Sequence, residues 1–362
     1  MEGLEMMKDF WKGKRVFITG HTGFKGAWLS LWLQSLGAQI TGYSLEPPTI
    51  PNLFSTATVE SGMKSIYGDI RNYEFLRTIV QECKPEIVFH LAAQSLVRKS
   101  YQNPLETYAT NIMGTANLLE MVRHVDSIKA IVNVTSDKCY ENKETTQGYR
   151  EDDQLGGYDP YSNSKACAEL ITTAFRRSFF GCEASREILI ATARAGNVIG
   201  GGDWAEDRLI PDCIRAVAKG QKVVIRNPNA YRPWQHVLEP LYGYLLLAEK
   251  LFLGERVDEG WNFGSEDGDV KSVEWIVNEM LQCWGENARW ELDGGHHPHE
   301  AQYLKLDCSK AKKRLGWKPT WDLKKALNYT IAWYKAFYEG VDMHEFSIKQ
   351  IDIFIDNIAM KE

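Results

Sequence analysis

Short apolar runs alternate along this chain with stretches in which leucines and other apolar residues recur every three or four positions. Arg15-Val16-Phe17-Ile18-Thr19 ends in glycines and opens into Ala27-Trp28-Leu29-Ser30-Leu31-Trp32-Leu33, which reads as strand, tight turn and helix. The rhythm repeats, with strands predicted at 39–44, 86–90, 129–134 and 187–192 and helices at 73–82, 105–123 and 161–179. Strands alternating with helices predict an α/β fold, a doubly wound parallel sheet covered on both faces. After Gly196 the pattern dissolves into Gly, Pro, Asn and aromatic residues, with helical spacing only at 210–219, 240–252, 272–284 and 323–338. We expect a cofactor-binding domain over 1–195, joined by part of 234–266, and a smaller C-terminal substrate lobe over 196–362. The segment 348–362 is the part the pattern places least.

Composition narrows the partners. At 362 residues, with 44% hydrophobic and 25% charged residues, the chain is long enough to bury a sizeable core. A formal net charge of -6 gives no basic face for a polyanion, so nucleic acid is not an expected partner. Cys83, Cys139, Cys167, Cys182, Cys213, Cys283 and Cys308 are odd in number, scattered and without a CxxC pair, as expected of reduced thiols in the cytoplasm. Met1 to Arg15 has no signal-like apolar core, and no stretch approaches the roughly 20 apolar residues of a membrane span.

Chemistry enters at the first turn. Gly20, Gly23 and Gly26 stand between the first strand and helix, where missing side chains let the backbone approach a pyrophosphate on a helix N-terminus. The second strand ends near Ser44, followed by Leu45 and Glu46, with no Arg to receive a 2′-phosphate. That favours NAD over NADP. Asp69, in Gly68-Asp69-Ile70, reads either as an adenine contact or as an exposed loop aspartate. His21 and Lys25 sit where they could meet cofactor phosphates or be solvated turn residues.

Tyr161 and Lys165 lie four residues apart, hence on one face of a helix. A fixed ammonium beside a phenol is expected to lower its pKa and make it a base. Ser136-Asp137-Lys138 follows the apolar strand directly, and strand ends in such sheets point at the ligand crevice. A hydroxyl, a carboxyl and an ammonium in a row exceed what a simple oxidoreductase needs.

With these motifs, and with His90-Leu91-Ala92-Ala93, Asn197-Val198-Ile199-Gly200 and Leu315-Gly316-Trp317-Lys318-Pro319 in the same order, the chain resembles the extended short-chain dehydrogenase/reductase family, and within it the sugar-nucleotide 4,6-dehydratases. The resemblance covers nearly the whole chain. It implies a Rossmann-type domain holding NAD tightly through the glycine turn, Phe24, Ser44, Asp69, Ile70, Leu91, Ala92, Ala93, Tyr161 and Lys165. It also implies a lyase reaction: Tyr161 assists oxidation at C4, Ser136 bonds the C4 oxygen, Asp137 protonates the leaving 6-hydroxyl, and hydride returns to C6. Where the dTDP-glucose enzymes carry a Glu as C5 base, this chain has Lys138. Asp-Lys here, with Gly20-His21-Thr22-Gly23-Phe24-Lys25-Gly26, is similar to the branch acting on CDP-glucose, whose product feeds dideoxysugar and O-antigen lipopolysaccharide synthesis. The resemblance further implies a homodimer, or a tetramer, built on the helices at 105–123 and 161–179.

Asn197, the glycines 200–202, Arg208 and Arg232 are the expected substrate contacts, the arginines as diphosphate clamps. His296-His297-Pro298-His299 with Cys308 fits no closed zinc set, so no metal is expected. The tryptophans of the C-terminal half read mainly as core. Two rivals share the fold: a 4-epimerase or reductase, which needs no acid at Asp137, and a non-catalytic NAD(H)-binding protein, which needs none of Ser136, Asp137, Tyr161 and Lys165.

Overall fold

The computed structural model describes residues 8–180, 187–285, 289–295 and 303–361. Six strands alternate with helices: β1 (Arg15–Thr19), β2 (Gln39–Ser44), β3 (Lys64–Tyr67), β4 (Ile87–His90), β5 (Ala130–Val134) and β6 (Leu189–Ala195). The chain then makes the short β7 (Asn197–Ile199), β8 (Val223–Ile225) and β9 (Tyr231–His236) before β10 (Gly260–Phe263) returns to the main sheet. The order is β10-β6-β5-β4-β1-β2-β3 and every pairing is parallel. This is the doubly wound sheet expected. Its order reverses between β1 and β4, where the crevice of such sheets opens.

The strands read as unbroken apolar runs because both faces are buried. Val16 and Ile18 of β1, with Ile87 and Phe89 of β4, face one core that includes Trp28, Trp32 and Leu245. Phe17, Val88 and Ile131 point the other way, into a second core with Leu76, Leu118 and Val122. Helices α1 (Phe24–Ser35), α2 (Tyr73–Cys83), α3 (Gly114–Val122), α4 (Pro160–Phe179), α5 (Leu209–Ala218), α6 (Leu238–Phe252), α7 (Val273–Trp284) and α8 (Leu323–Tyr338) complete the layers.

Two elements depart from the pattern. The helix predicted over 105–123 is interrupted: Pro104–Tyr108 passes through a π-helical turn, Ala109–Met113, before α3 begins. The final segment is α9 (Met343–Ala359), capped by Asp342, whose side chain accepts from the His344 and Glu345 amides. Its Phe354 meets Trp32 of α1 edge to face, ring centroids 5.6 Å apart, which packs the chain's end on its first helix. A small sheet, β7, β9 and β11 (Val270–Ser272), and the pair β8 with β12 (Trp290–Leu292) lie in the C-terminal half. Trp204, Trp234, Trp261, Trp317, Trp321 and Trp333 are buried there, as core.

Candidate active site

Gly20 takes a positive φ of +79°, and a Cβ on it would lie 2.7 Å from the Ala92 amide nitrogen. A Cβ on Gly26 would collide with the Gly20 carbonyl. Only glycine lets this turn close so tightly against the segment after β4. The turn is tied to the end of β2 by Thr22, whose Oγ1 lies 2.9 Å from Ser44 Oγ and donates to the Leu45 carbonyl at 2.8 Å. Gly23 caps α1 without a side chain, so the helix N-terminus faces outward bare of a protein cap. Such a terminus beside Leu91, Ala92 and Ala93 fits the pyrophosphate of an extended dinucleotide.

His21 lies inside the fold at this turn. The ring is fully buried, Nε2 sits 2.7 Å from Ser65 Oγ, and burial pulls the pKa down to about 4. It is a neutral side chain packed against Gly42 of β2 and Ser65 of β3. Lys25 lines the main cleft, and burial and then the Arg208 charge pull its pKa to about 7. Asp69 is half-buried and forms a two-pronged ion pair with Arg71, Nε to Oδ2 at 2.9 Å. Ile70 is buried beside it.

The cleft, of about 460 Å³, runs from the end of β5 into the C-terminal half, and its lining includes Lys25, Ser136, Asp137, Lys138, Tyr161, Asn197, Arg208 and Arg232. Lys165 stands just behind it, 7% exposed. Asp159 caps α4 by accepting from the Ser162 amide and Pro160 opens its first turn, which sets Tyr161 at the cleft floor. At the end of β5 the chain makes one 3-10 turn, Asp137–Cys139, capped by Ser136. Ser136 Oγ donates to Asp137 Oδ1 at 3.0 Å and lies in hydrogen-bonding reach of the Tyr161 phenol.

Burial raises the Asp137 pKa, opposed by Lys138, the Ser136 hydroxyl and Lys25. The expected acidification of Tyr161 is not what the chain alone produces. Burial lifts the phenol to about 12, and the Ser136 bond only partly opposes this. Lys165 points its ammonium at the Val134 carbonyl, 3.2 Å away, and burial lowers it to about 8. The cleft therefore holds a protonated phenol, a carboxyl biased toward its acid form and a lysine near its titration point.

The glycines 200–202 pack closely, with Gly200 at the cleft and Gly201 against Trp333. They are buried, Trp28 Nε1 donates to the Gly201 carbonyl at 2.9 Å, and the Tyr334 hydroxyl donates to the Asp203 carbonyl at 2.5 Å. Arg208 pairs with Asp203 at 3.0 Å, and Arg232 Nη1 donates to the Tyr231 carbonyl at 2.9 Å. Two further arginines at the cleft escaped the sequence reading: Arg98 and Arg226 each lie 3.3 Å from Asp207 Oδ1. Asn111 was missed too. It sits at the π-helical turn, accepts from the Gln94 amide at 2.8 Å and donates to Ser164 Oγ at 2.8 Å, joining the segment after β4 to α4. A buried amide inside an apolar helical stripe was its only signal in the sequence.

Among the described residues no group of three or more His, Cys, Asp or Glu could hold a metal ion, and no helix is long and apolar enough to cross a membrane. Cys83, Cys139, Cys167, Cys213, Cys283 and Cys308 are free thiols. Cys182 and the His296 to His299 run lie outside the described residues.

Against known proteins, the model of the GDP-mannose 4,6 dehydratase family matches residues 17–330. The chain belongs to this family. The family resemblance read from the motifs is thereby borne out. A CDP-glucose 4,6-dehydratase of Salmonella typhimurium is 57% identical over 351 residues, spanning 96% of this chain and 98% of that one. The GDP-mannose 4,6 dehydratase of Homo sapiens is 28% identical over 83% of this chain and 86% of its own. Among solved structures, a dTDP-glucose 4,6-dehydratase of Bacillus anthracis in complex with NAD superposes with a TM-score of 0.76 at 24% identity, covering 91% of this chain and 99% of that one. A UDP-glucose 4-epimerase of Thermotoga maritima with UDP-glucose gives 0.78 at 21%, covering 90% and 99%. These two share the fold, so the division between dehydratase and epimerase falls to the cleft residues.

Proposed function

We propose that this chain is a CDP-glucose 4,6-dehydratase, a hydro-lyase that converts CDP-D-glucose to CDP-4-dehydro-6-deoxy-D-glucose and water. The observation that carries the reading is Asp137, a buried acid beside Tyr161 at the end of β5, in a chain 57% identical to an enzyme of that name over nearly its full length. An epimerase or a reductase has no leaving hydroxyl to protonate, and a binding protein needs no acid there.

NAD would be held by the glycine turn, the α1 N-terminus, Ser44, Asp69, Ile70 and the Leu91 to Ala93 segment, and when bound it supplies a hydride acceptor for C4, a hydride for C6 and a positive ring near Tyr161. Ser136 bonds the C4 oxygen, and Tyr161 would receive the C4 hydroxyl proton once the cofactor's positive ring, with Lys165 behind it, has brought the buried phenol to its phenolate. The resulting ketone acidifies C5. Lys138, which lines the cleft on the same turn, would take the C5 proton only as its neutral amine, and would return it to C5 when hydride reaches C6. Asp137 gives its proton to the departing 6-hydroxyl, which leaves as water. Burial works for this last step, since a carboxyl held above its usual range is an acid at neutral pH.

Asn197, Arg208 and Arg232 bind the nucleotide diphosphate in this reading, with guanidinium groups suited to paired phosphate oxygens. The assembly is a homodimer, with a tetramer as its further state. Leu105, Met113, Leu170 and Phe179 are exposed on the helices at Pro104–Tyr108, Ala109–Met113 and α4, and an apolar face of this kind is usually covered by a partner. The setting is the bacterial cytoplasm, upstream of dideoxysugar assembly into O-antigen lipopolysaccharide.

The test is incubation of the purified protein with CDP-glucose, dTDP-glucose, UDP-glucose and GDP-mannose separately, followed by mass spectrometry. A product lighter by one water from CDP-glucose supports the reading. Epimerised or unchanged sugars in every incubation overturn it.

A further inference from the structure

Behind the reacting turn lies an ion pair that takes no part in the chemistry above. Glu169 follows Lys165 by one helical turn on α4 and Arg194 lies on β6; their side chains are 2% and 6% exposed, with Oε2 and Nη2 2.8 Å apart. The carboxylate of Glu169 bonds to β6 and to the residue just past the end of β5. It accepts from Thr135 Oγ1, which immediately precedes Ser136, and from Thr192 Oγ1 on β6 at 2.6 Å. Arg194 reaches the other side of the same turn. Its Nη1 donates to the Tyr140 hydroxyl at 2.7 Å and to the Glu151 carbonyl at 3.0 Å. The Tyr140 hydroxyl donates in turn to Asn262 Oδ1 on β10 at 2.7 Å.

Thr135 and Tyr140 bracket Ser136, Asp137, Lys138 and Cys139. One buried pair therefore grips both flanks of the segment that carries the proposed acid and base. Buried charges are expensive to desolvate, and a well-packed apolar pair would serve stability as well or better. A pair retained with bonds to both flanks of a reacting turn fits a positional role.

We propose that the Glu169–Arg194 pair is a positioning element for the dehydration: it fixes the Ser136–Cys139 turn so that Asp137 meets the leaving 6-hydroxyl, and its carboxylate holds Lys165 in the charged form. This rests on the dehydratase reading for its first half. The second half concerns Lys165 alone and is measurable without substrate. Glu169 is among the charges that raise the Lys165 pKa, against burial that lowers it.

Two variants separate the halves. Tyr140→Phe removes one hydroxyl from the Arg194 end and leaves the ion pair in place. It should lower kcat at least about tenfold with KM little changed, and reduced nicotinamide should accumulate during turnover because C4 oxidation outpaces loss of water. Glu169→Gln should move the apparent pKa of Lys165, read by competitive acetylation and peptide mass spectrometry, below its wild-type value by about 1 or more. Arg194→Lys keeps Glu169 and the charge without the fork, and should leave the Lys165 titration at its wild-type value while still lowering kcat.

Unchanged kcat and no build-up of reduced nicotinamide in Tyr140→Phe overturn the positional role. An unmoved Lys165 titration in folded Glu169→Gln overturns the electrostatic one. Should Glu169→Gln not fold, Thr135→Val carries the test from the Glu169 end, with the same kcat and nicotinamide readouts expected. Wild-type protein inert toward CDP-glucose counts against the functional reading, and leaves the Lys165 titration as the deciding measurement here.

Discussion

Ser136 spends its hydroxyl hydrogen on its own neighbour, donating to Asp137 Oδ1 at 3.0 Å, while its oxygen accepts the Lys138 amide at 3.2 Å. The three residues thus form a closed local unit on one 3-10 turn. A carboxyl so held, and raised by burial, is placed to give up a proton to a group in the cleft.

Asp137→Asn keeps the shape and removes the acid. Loss of water should slow by about a hundredfold to ten-thousandfold, the usual range for a general acid. Oxidation at C4 should survive, so a single turnover should leave reduced nicotinamide behind. Equal loss of both steps, by rapid-quench mass spectrometry and absorbance, would show that Asp137 acts elsewhere.

Lys165 titrates at about 8, so its charge is present below that value and lost as pH rises through it. Turnover at saturating substrate should fall on the alkaline side of about 8. A kcat profile flat through that region would contradict a role for the ammonium.

Glu239 bears on stability, not catalysis. Its carboxylate accepts from the Thr320 amide at 2.8 Å and the Trp321 amide at 2.6 Å, yet burial raises its pKa from 4.5 to about 8. The folded state therefore binds a proton over the window in which the unfolded chain has released it. Its contribution is full below about 4.5 and is lost as pH rises toward 8, with a slope of at most about 1.4 kcal/mol per pH unit. Urea denaturation across that window should show the fall in wild-type protein and a flatter profile in Glu239→Gln; parallel profiles would refute the assignment.

Leu170 is 58% exposed on α4, which packs against the segments that carry the exposed Leu105 and Met113. Leu170→Glu should convert the proposed dimer to a monomer in sedimentation analysis, with the melting curve of the isolated subunit little altered. A dimer that persists unchanged would place the interface on another surface.

The parts of this molecule legible in the sequence are those fixed by short-range geometry. Tyr161 and Lys165 declare themselves because four residues make one helical turn, and the glycine turn because it stands between a strand and a helix. The surroundings of His21 were not legible, because its packing against Gly42 of β2 and Ser65 is made across the sheet. Glu169, Arg194 and Asn111 were invisible because each finds its partners 17 or more residues away, across the sheet or along another helix. The π-helical turn at Ala109–Met113 leaves no break in the apolar spacing, so a single long helix was the natural expectation. The last helix reads plainly only once Trp32 is known to be its partner.

The central claim is that one active site oxidises C4, expels the 6-hydroxyl and returns the same hydride to C6. The most direct measurement is turnover of CDP-glucose carrying deuterium at C4. The product should be lighter by one water and hold the deuterium at C6. Deuterium lost to solvent, or retained at C4 of an unaltered or epimerised sugar, would contradict the account.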